Sequence, residues 1–227
     1  MVVEKRARSF EQKTERRKQI MDAATALIRK KPFHELGMAD IAKKAGMAKG
    51  TVFLYFKTKE ELFIAVTFQQ FEAWFDSMDR QLENIARSKV RLSNISFLKR
   101  IRPVVDEHTL LPRMVAIMHV VLEQNIGYEE ARALKRMLAD RMRHTGMLIE
   151  RCLPYFRPGQ GAKLITLMSV LVIGLTHMAE PAPVIREIYK KEEDLRSFQI
   201  DFGRELFDAL ESILDGWQVR ARRGKKS

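Results

Sequence analysis

The segment from Gly37 to Phe56 limits the possible folds more than any other part of the chain. It reads Gly-Met-Ala-Asp-Ile-Ala-Lys-Lys-Ala-Gly-Met-Ala-Lys-Gly-Thr-Val-Phe-Leu-Tyr-Phe, two short helical patterns around one glycine. Ile41 and Ala45 stand four residues apart and share a helix face, and Ala42 is small where two helices must cross closely. Gly46 can adopt the left-handed conformation that ends the first helix and turns the chain sharply. A second helix then begins after Met47, with Val52 turned to the core and Phe56 closing it. Two short helices crossing steeply at a glycine turn form a helix-turn-helix, the unit that binds duplex DNA.

The outer face of the second helix carries Lys49, Thr51 and Tyr55 rather than apolar residues, so it can enter a major groove. Gly50 removes a side chain where backbone could approach DNA. Lys43, Lys44, Lys57 and Lys59 are placed to neutralise phosphates, contacts that position the protein rather than read sequence. The charge distribution agrees. Residues 1–60 carry a net +8, residues 217–227 a net +5, and the body between them −1, out of a total of +12. Basic ends on a nearly neutral body suit a polyanion partner. An N-terminal arm with Lys5, Arg6, Arg8 and Lys13 could follow the minor groove or a phosphate ridge, although a disordered tail is the alternative. The tail from Arg220 to Lys226 is expected to be disordered, adding non-specific DNA affinity.

Almost every other segment has helical periodicity, and no cluster of alternating residues suggests a strand. Ile20, Ala24, Leu27 and Ile28 mark a first helix ended by Pro32. A long helix starts near Lys59, with a stripe from Leu62 through Phe71 and Phe75 to Leu82. Breakers at Pro103, Pro112, Gly127, Pro154, Pro158, Pro181 and Pro183 separate further helical segments near 94–105, 109–125, 129–153, 161–179 and 192–219. The fold class that follows is all-α with about nine helices: a three-helix N-terminal DNA-binding unit over residues 14–74 and a larger helical body over 75–219.

Ile41-Ala42-x-x-Ala45-Gly46, then Lys49-Gly50-Thr51-Val52-x-x-Tyr55-Phe56, then Lys57-x-Lys59-x-x-Leu62 resembles the TetR family of transcriptional regulators, over about residues 14–74. The resemblance implies a homodimer whose N-terminal units each read half of a palindromic operator. It also implies a C-terminal domain that dimerises and often binds a small molecule that releases DNA. Thr51, Tyr55, Lys59 and Lys49 inherit DNA-contact roles from the motif. The chain departs from the family in three places. Gly37 or Met38 stands where a capping Thr or Ser is common, Ala48 replaces the usual cap of the second helix, and Phe53 replaces a Tyr whose hydroxyl often meets a phosphate.

In the body, Leu164, Met168, Leu171 and Leu175 on one helix, and Phe202, Leu206, Leu210 and Ile213 on another, form stripes suited to a four-helix interface across a twofold axis. The run 164–179 reads as a helix buried on several sides; at 16 residues it falls short of a membrane span, and Thr166, Ser169, Thr176 and His177 interrupt it. Phe71, Trp74, Met78, Phe97, Ile101, Met114, Met118, His119 and Met137 are candidates to line an adaptable effector pocket, with ordinary core packing as the alternative for each.

Enzyme chemistry finds little support. His34, His108, His119, His144 and His177 show no metal-ligand spacing with one another or with Cys152, so neither a metal nor a cofactor is expected. Arg157-Pro-Gly-Gln-Gly-Ala-Lys163 lacks the spacing and the Ser/Thr of a phosphate loop and reads as a loop before a helix. The single cysteine excludes an intrachain disulfide, and the N-terminus lacks the apolar core of a signal peptide, so the protein is expected to be soluble and cytoplasmic. The expected partners are therefore an operator duplex, a second copy and a small-molecule effector, with no membrane.

Overall fold

The computed structural model describes residues 2–118 and 123–224, with backbone only for residues 2–10. Among the described residues the fold is all-α, with no strand and ten helices. They are α1 (Val2–Ile28), α2 (Met38–Ala45), α3 (Lys49–Phe53), α4 (Lys59–Arg87), α5 (Asn94–Glu107), α6 (Leu110–Ile117), α7 (Tyr128–Cys152), α8 (Gln160–Ala179), α9 (Pro183–Lys191) and α10 (Phe202–Arg223). The chain divides into two compact units, one of residues 1–70 with 118–128, the other of 71–117 with 129–227.

The smaller unit packs α1 on α2 and α2 on α3. Its core is Ile20, Ala24, Ile41, Ala42, Val52, Phe56, Leu62, Phe63 and Val66, each at most 3% exposed. The helical stripes of the sequence account for this core, since residues four apart in a helix share a face. The basic arm expected before the first helix is instead part of it: α1 starts at Val2.

In the larger unit α8 packs on α6 and α10, and α10 on α5. Pro103 does not mark a joint, as its position suggested; it lies inside α5. Proline removes one backbone bond there, but burial of Phe97, Leu98, Ile101, Val104 and Val105 along the same helix outweighs that loss. Pro112 likewise falls within the first turn of α6, where missing N–H groups cost little; of the segment expected over 109–125, α6 covers Leu110–Ile117, and residues 119–122 lie outside the described residues. Pro183 opens α9, a helix absent from the periodic segments, at the first-turn position that proline favours. Arg220 to Arg223, expected in a disordered tail, form the last turn of α10, while residues 225–227 lie outside the described residues.

Two polar networks fasten the larger unit. Arg141 on α7 reaches three carboxylates of α4: Asp76 at 2.6 Å, Asp79 at 3.3 Å and Glu72 at 3.9 Å. Thr145 donates to the buried Asp79 at 2.5 Å. Elsewhere Asn94 donates to Asp215 at 2.7 Å and accepts from the Tyr155 hydroxyl at 2.6 Å, joining α5, α10 and the loop after α7. Helices α7 and α8 cross at Gly146 and Gly161, so closely that a Cβ on Gly161 would collide with the Gly146 carbonyl.

Candidate nucleic-acid interface

Three local devices build the helix-turn-helix. Asp40 accepts the Gly37 N–H at 3.0 Å, closing the start of α2. Gly37 itself has an ordinary extended φ of −110° and no side chain to offer, so the Asp40 carboxylate supplies the cap. At the other end Gly46 sits at φ 67° and ψ 30°. Its N–H reaches the Lys43 carbonyl at 3.3 Å, and the Met47 N–H reaches back to Ala42 at 3.0 Å, the double closure that terminates a helix on a left-handed residue. Ala48 makes no side-chain cap, so α3 starts without one, as its side chain dictates.

Helix α3 is anchored by Val52, fully buried, and leaves its other sides open. Lys49 and Gly50 are exposed, with Thr51 and Tyr55 half-buried on the same helix and its C-terminal end. Lys43 and Lys44 are exposed on the last turn of α2, and Lys57 is exposed before α4. Phe53 is 40% exposed, with the Lys49 ammonium 5.8 Å from its ring centre. The position that lacks the phosphate-touching hydroxyl therefore still lies on the open side, beside a lysine ammonium.

Lys59 differs from the other lysines. Its ammonium donates to the Phe33 carbonyl at 3.0 Å and lies 3.9 Å over the Phe33 ring. It braces the turn before α2 against the start of α4, a structural role that the motif did not suggest. The start of α4 is fixed by a second device that went unread in the sequence. Thr58 accepts the Glu61 N–H at 3.0 Å, and Glu61 accepts the Lys57 N–H at 2.7 Å. The signature Thr-x-x-Glu could have revealed it.

The other candidates divide. Trp74, Met78, Phe97 and Ile101 do line one cavity, with Leu82, Ile149 and Met168 among its other walls, but its volume is about 20 Å³, room for little more than a water. Phe71 and Met114 are buried elsewhere in the same unit, and Met137 is half-buried outside the cavity. Met118 belongs to the smaller unit, and His119 lies outside the described residues. The candidates for a pairing face split as well. Leu164, Leu206 and Leu210 are at most 5% exposed within one chain and form its core, whereas Met168, Leu171, Leu175, Phe202 and Ile213 are half-exposed. Helix α8 is not buried on several sides, contrary to its apolar composition; its mean hydropathy reaches 1.7, yet only 22% of the most apolar stretch is buried. The chain covers one side of α8 and leaves Val170 and Met178 more than half exposed. The loop from Arg157 to Lys163 leads into α8, with Gly159 at φ 88° just before it.

Comparison with known proteins agrees with this geometry. Residues 20–66 match the family described as bacterial regulatory proteins, tetR family, and residues 68–221 match the tetracyclin repressor-like C-terminal domain. The chain belongs to the TetR family: it is a DNA-binding transcriptional regulator and not an enzyme. It is 31% identical over 101 residues to the fatty acid metabolism regulator protein of Bacillus subtilis strain 168, a match covering 44% of this chain and 52% of that protein. It is also 31% identical over 71 residues to an HTH-type transcriptional regulator of Haemophilus influenzae, covering 31% of this chain and 38% of that protein. The chain thus matches about half or less of the length of these curated relatives. In fold it is similar to a TetR-family transcriptional regulator from Mesorhizobium loti MAFF303099, with a TM-score of 0.52 at 16% identity, covering 91% of this chain and 96% of that one.

Proposed function

We propose that this regulator is a repressor that binds a palindromic operator as a homodimer and is released by a small-molecule effector. The open apolar side of α8 carries the reading. Val170 and Met178 are 62% and 58% exposed, and Leu171 and Leu175 are half-exposed beside them. A helix this apolar, covered on one side only, is matched by a copy of itself across a twofold axis, with Phe202 and Ile213 of α10 completing a four-helix contact. A twofold dimer presents two α3 helices to two half-sites, and successive major grooves set those half-sites about 34 Å apart. Lys49, Thr51 and Tyr55 are the proposed base-edge and phosphate contacts of each half, with Lys43, Lys44 and Lys57 on phosphates.

Release follows if a ligand in the larger unit alters the separation of the paired recognition helices, since a displaced pair no longer fits both grooves. Helix α4 is continuous from Lys59 to Arg87 and so spans the sequence between the two functions. The test is selection of bound fragments from genomic DNA, with light scattering of the free protein. The reading predicts a twofold-symmetric site and a dimer mass that Val170→Glu reduces to that of a monomer. An asymmetric site, or a monomer in the wild type, would overturn it. A cross-link that fixes the spacing of the two α3 helices should abolish effector-driven release.

A further inference from the structure

We propose that a groove of the larger unit, bounded by the C-terminal ends of α5 and α8 and the first turns of α6 and α10, binds a small uncharged molecule that is mostly apolar and carries one hydroxyl or amide group. The groove has a volume of about 300 Å³ and is walled by Val105, Pro112, Ala179 and Phe202. That lies at the lower end of small-molecule sites, which occupy roughly 300–1,000 Å³. It is far larger than the 20 Å³ cavity around Trp74 and Phe97.

Thr176 points to a ligand. It lines the groove, is 7% exposed, and its hydroxyl has no hydrogen-bond partner. A helical threonine normally returns its hydroxyl to the carbonyl four residues earlier, as Thr25, Thr67 and Thr166 do here. Thr176 does not. A buried hydroxyl left unmet is a standing cost, and the Thr176 oxygen is closed to water as it stands, so a ligand's donor or acceptor removes that cost when the side chain turns about χ1 toward the groove.

The charges of the groove select against ions. Arg113 is paired with Glu180 at 2.7 Å, and Asp106 lies 3.5 Å from Arg102. The charged side chains of the groove are thus already matched by opposite charges, so it offers an ion no unmatched counter-charge, whereas an uncharged ligand needs none. The groove also stays accessible in a dimer. At 100° per residue, Thr176, Ala179 and Glu180 lie on the side of α8 opposite Val170, Gly174 and Met178, so pairing along that side leaves the α8 wall open, and Phe202, shared with the proposed pairing face, marks the edge of the groove nearest the partner. The inference names a site for the effector of the proposed function and rests on that reading only for the effect on DNA.

Acetanilide, benzyl alcohol and N-cyclohexylacetamide serve as uncharged probes, with benzoate and benzylammonium as charged counterparts. Binding to the full chain is read by saturation-transfer NMR and by titration. The uncharged probes should bind and compete with one another, and the charged ones should bind more weakly. Thr176→Val should weaken the uncharged probes about three- to tenfold, the loss of one hydrogen bond, without lowering the melting temperature, since it deletes an unmet hydroxyl. Ala179→Phe should fill the groove and abolish binding. The proposal is overturned if the uncharged probes do not bind, bind no better than the ions, or bind both variants as they bind the wild type. Probe binding that depends on Thr176 but never alters operator affinity would leave the groove standing and remove the effector reading. Effector-driven release that persists in Ala179→Phe would do the reverse.

Discussion

Replacing Arg141 by methionine tests whether the polar contact between α4 and α7 holds the larger unit together. Arg141 is the one cation shared by three carboxylates of α4 among the described residues, but the three do not count equally. The side chains of Glu72 and Asp76 are 45% and 59% exposed, and pairs of that kind contribute about 0–1 kcal/mol each. Asp79 is 13% exposed, so removing Arg141 leaves a nearly buried charge whose remaining charged neighbour is the half-exposed His144 ring, 3.7 Å away and charged only when protonated. Breaking a buried pair from one side costs about 3–5 kcal/mol. The Thr145 hydroxyl still donates to Asp79 at 2.5 Å in the variant, which places the expected loss nearer the lower end, about 3 kcal/mol. For a chain of this length that is roughly 6–12 °C in melting temperature. The assay is denaturant and thermal unfolding of wild type, Arg141→Met, Asp79→Asn and the double variant. Neutralising Asp79 should recover about 2 kcal/mol of the Arg141→Met loss, because the stranded charge is gone. Strictly additive effects, or a single-variant loss under about 1 kcal/mol, would refute the reasoning.

Gly161→Ala should destabilise by about 1–3 kcal/mol, because the added methyl meets the Gly146 carbonyl, a backbone group that cannot rotate aside; unfolding curves measure it. Tyr155 gives a pH signature. Burial, then the nearby Asp215 carboxylate, push its phenol up to about 12, against the weaker opposing effect of the Asn94 hydrogen bond. Below pH 10 both states keep the proton, and between about 10 and about 12 only the folded one does, so stability should fall across that window. Tyr155→Phe should flatten the fall. Cys152 is buried, donates to the Leu82 carbonyl at 3.4 Å, and burial pushes its thiol up to about 11. It should therefore resist thiol reagents at pH 8 in the native protein and react at once in denaturant.

Much of the DNA-binding unit was legible in the sequence because its determinants are local. Gly46 needs only its own backbone conformation, and the stripes through Ile41, Val52 and Phe56 need only helical periodicity. The Asp40 cap and the Thr58–Glu61 pair are equally local and were open to reading. Lys59 was not: its contact with Phe33 spans 26 residues of sequence and depends on a turn that no periodicity reveals. The larger unit was less legible for the same reason. Apolar composition made α8 read as a buried helix, but burial is decided by which neighbours arrive, and α6 and α10 cover only one side. The same limit applies to Leu164, Leu206 and Leu210, whose stripe alone cannot distinguish a core from an interface. Proline at 103 misled because the apolar face of α5 outweighs one lost backbone bond. Thr176 was visible as a polar interruption of the apolar run, but its unmet hydroxyl is a fact of packing.

The central claim, that α3 is the DNA-reading element, is tested most directly by titrating labelled operator duplex with wild type, Lys49→Ala and Tyr55→Ala across a series of salt concentrations. Wild-type affinity should fall steeply with salt, and the slope should be smaller by about one in Lys49→Ala, the loss of one phosphate contact. Tyr55→Ala should weaken binding to operator far more than to unrelated duplex. If both variants bind the operator with wild-type affinity and wild-type salt slope, α3 does not read DNA and the account is wrong.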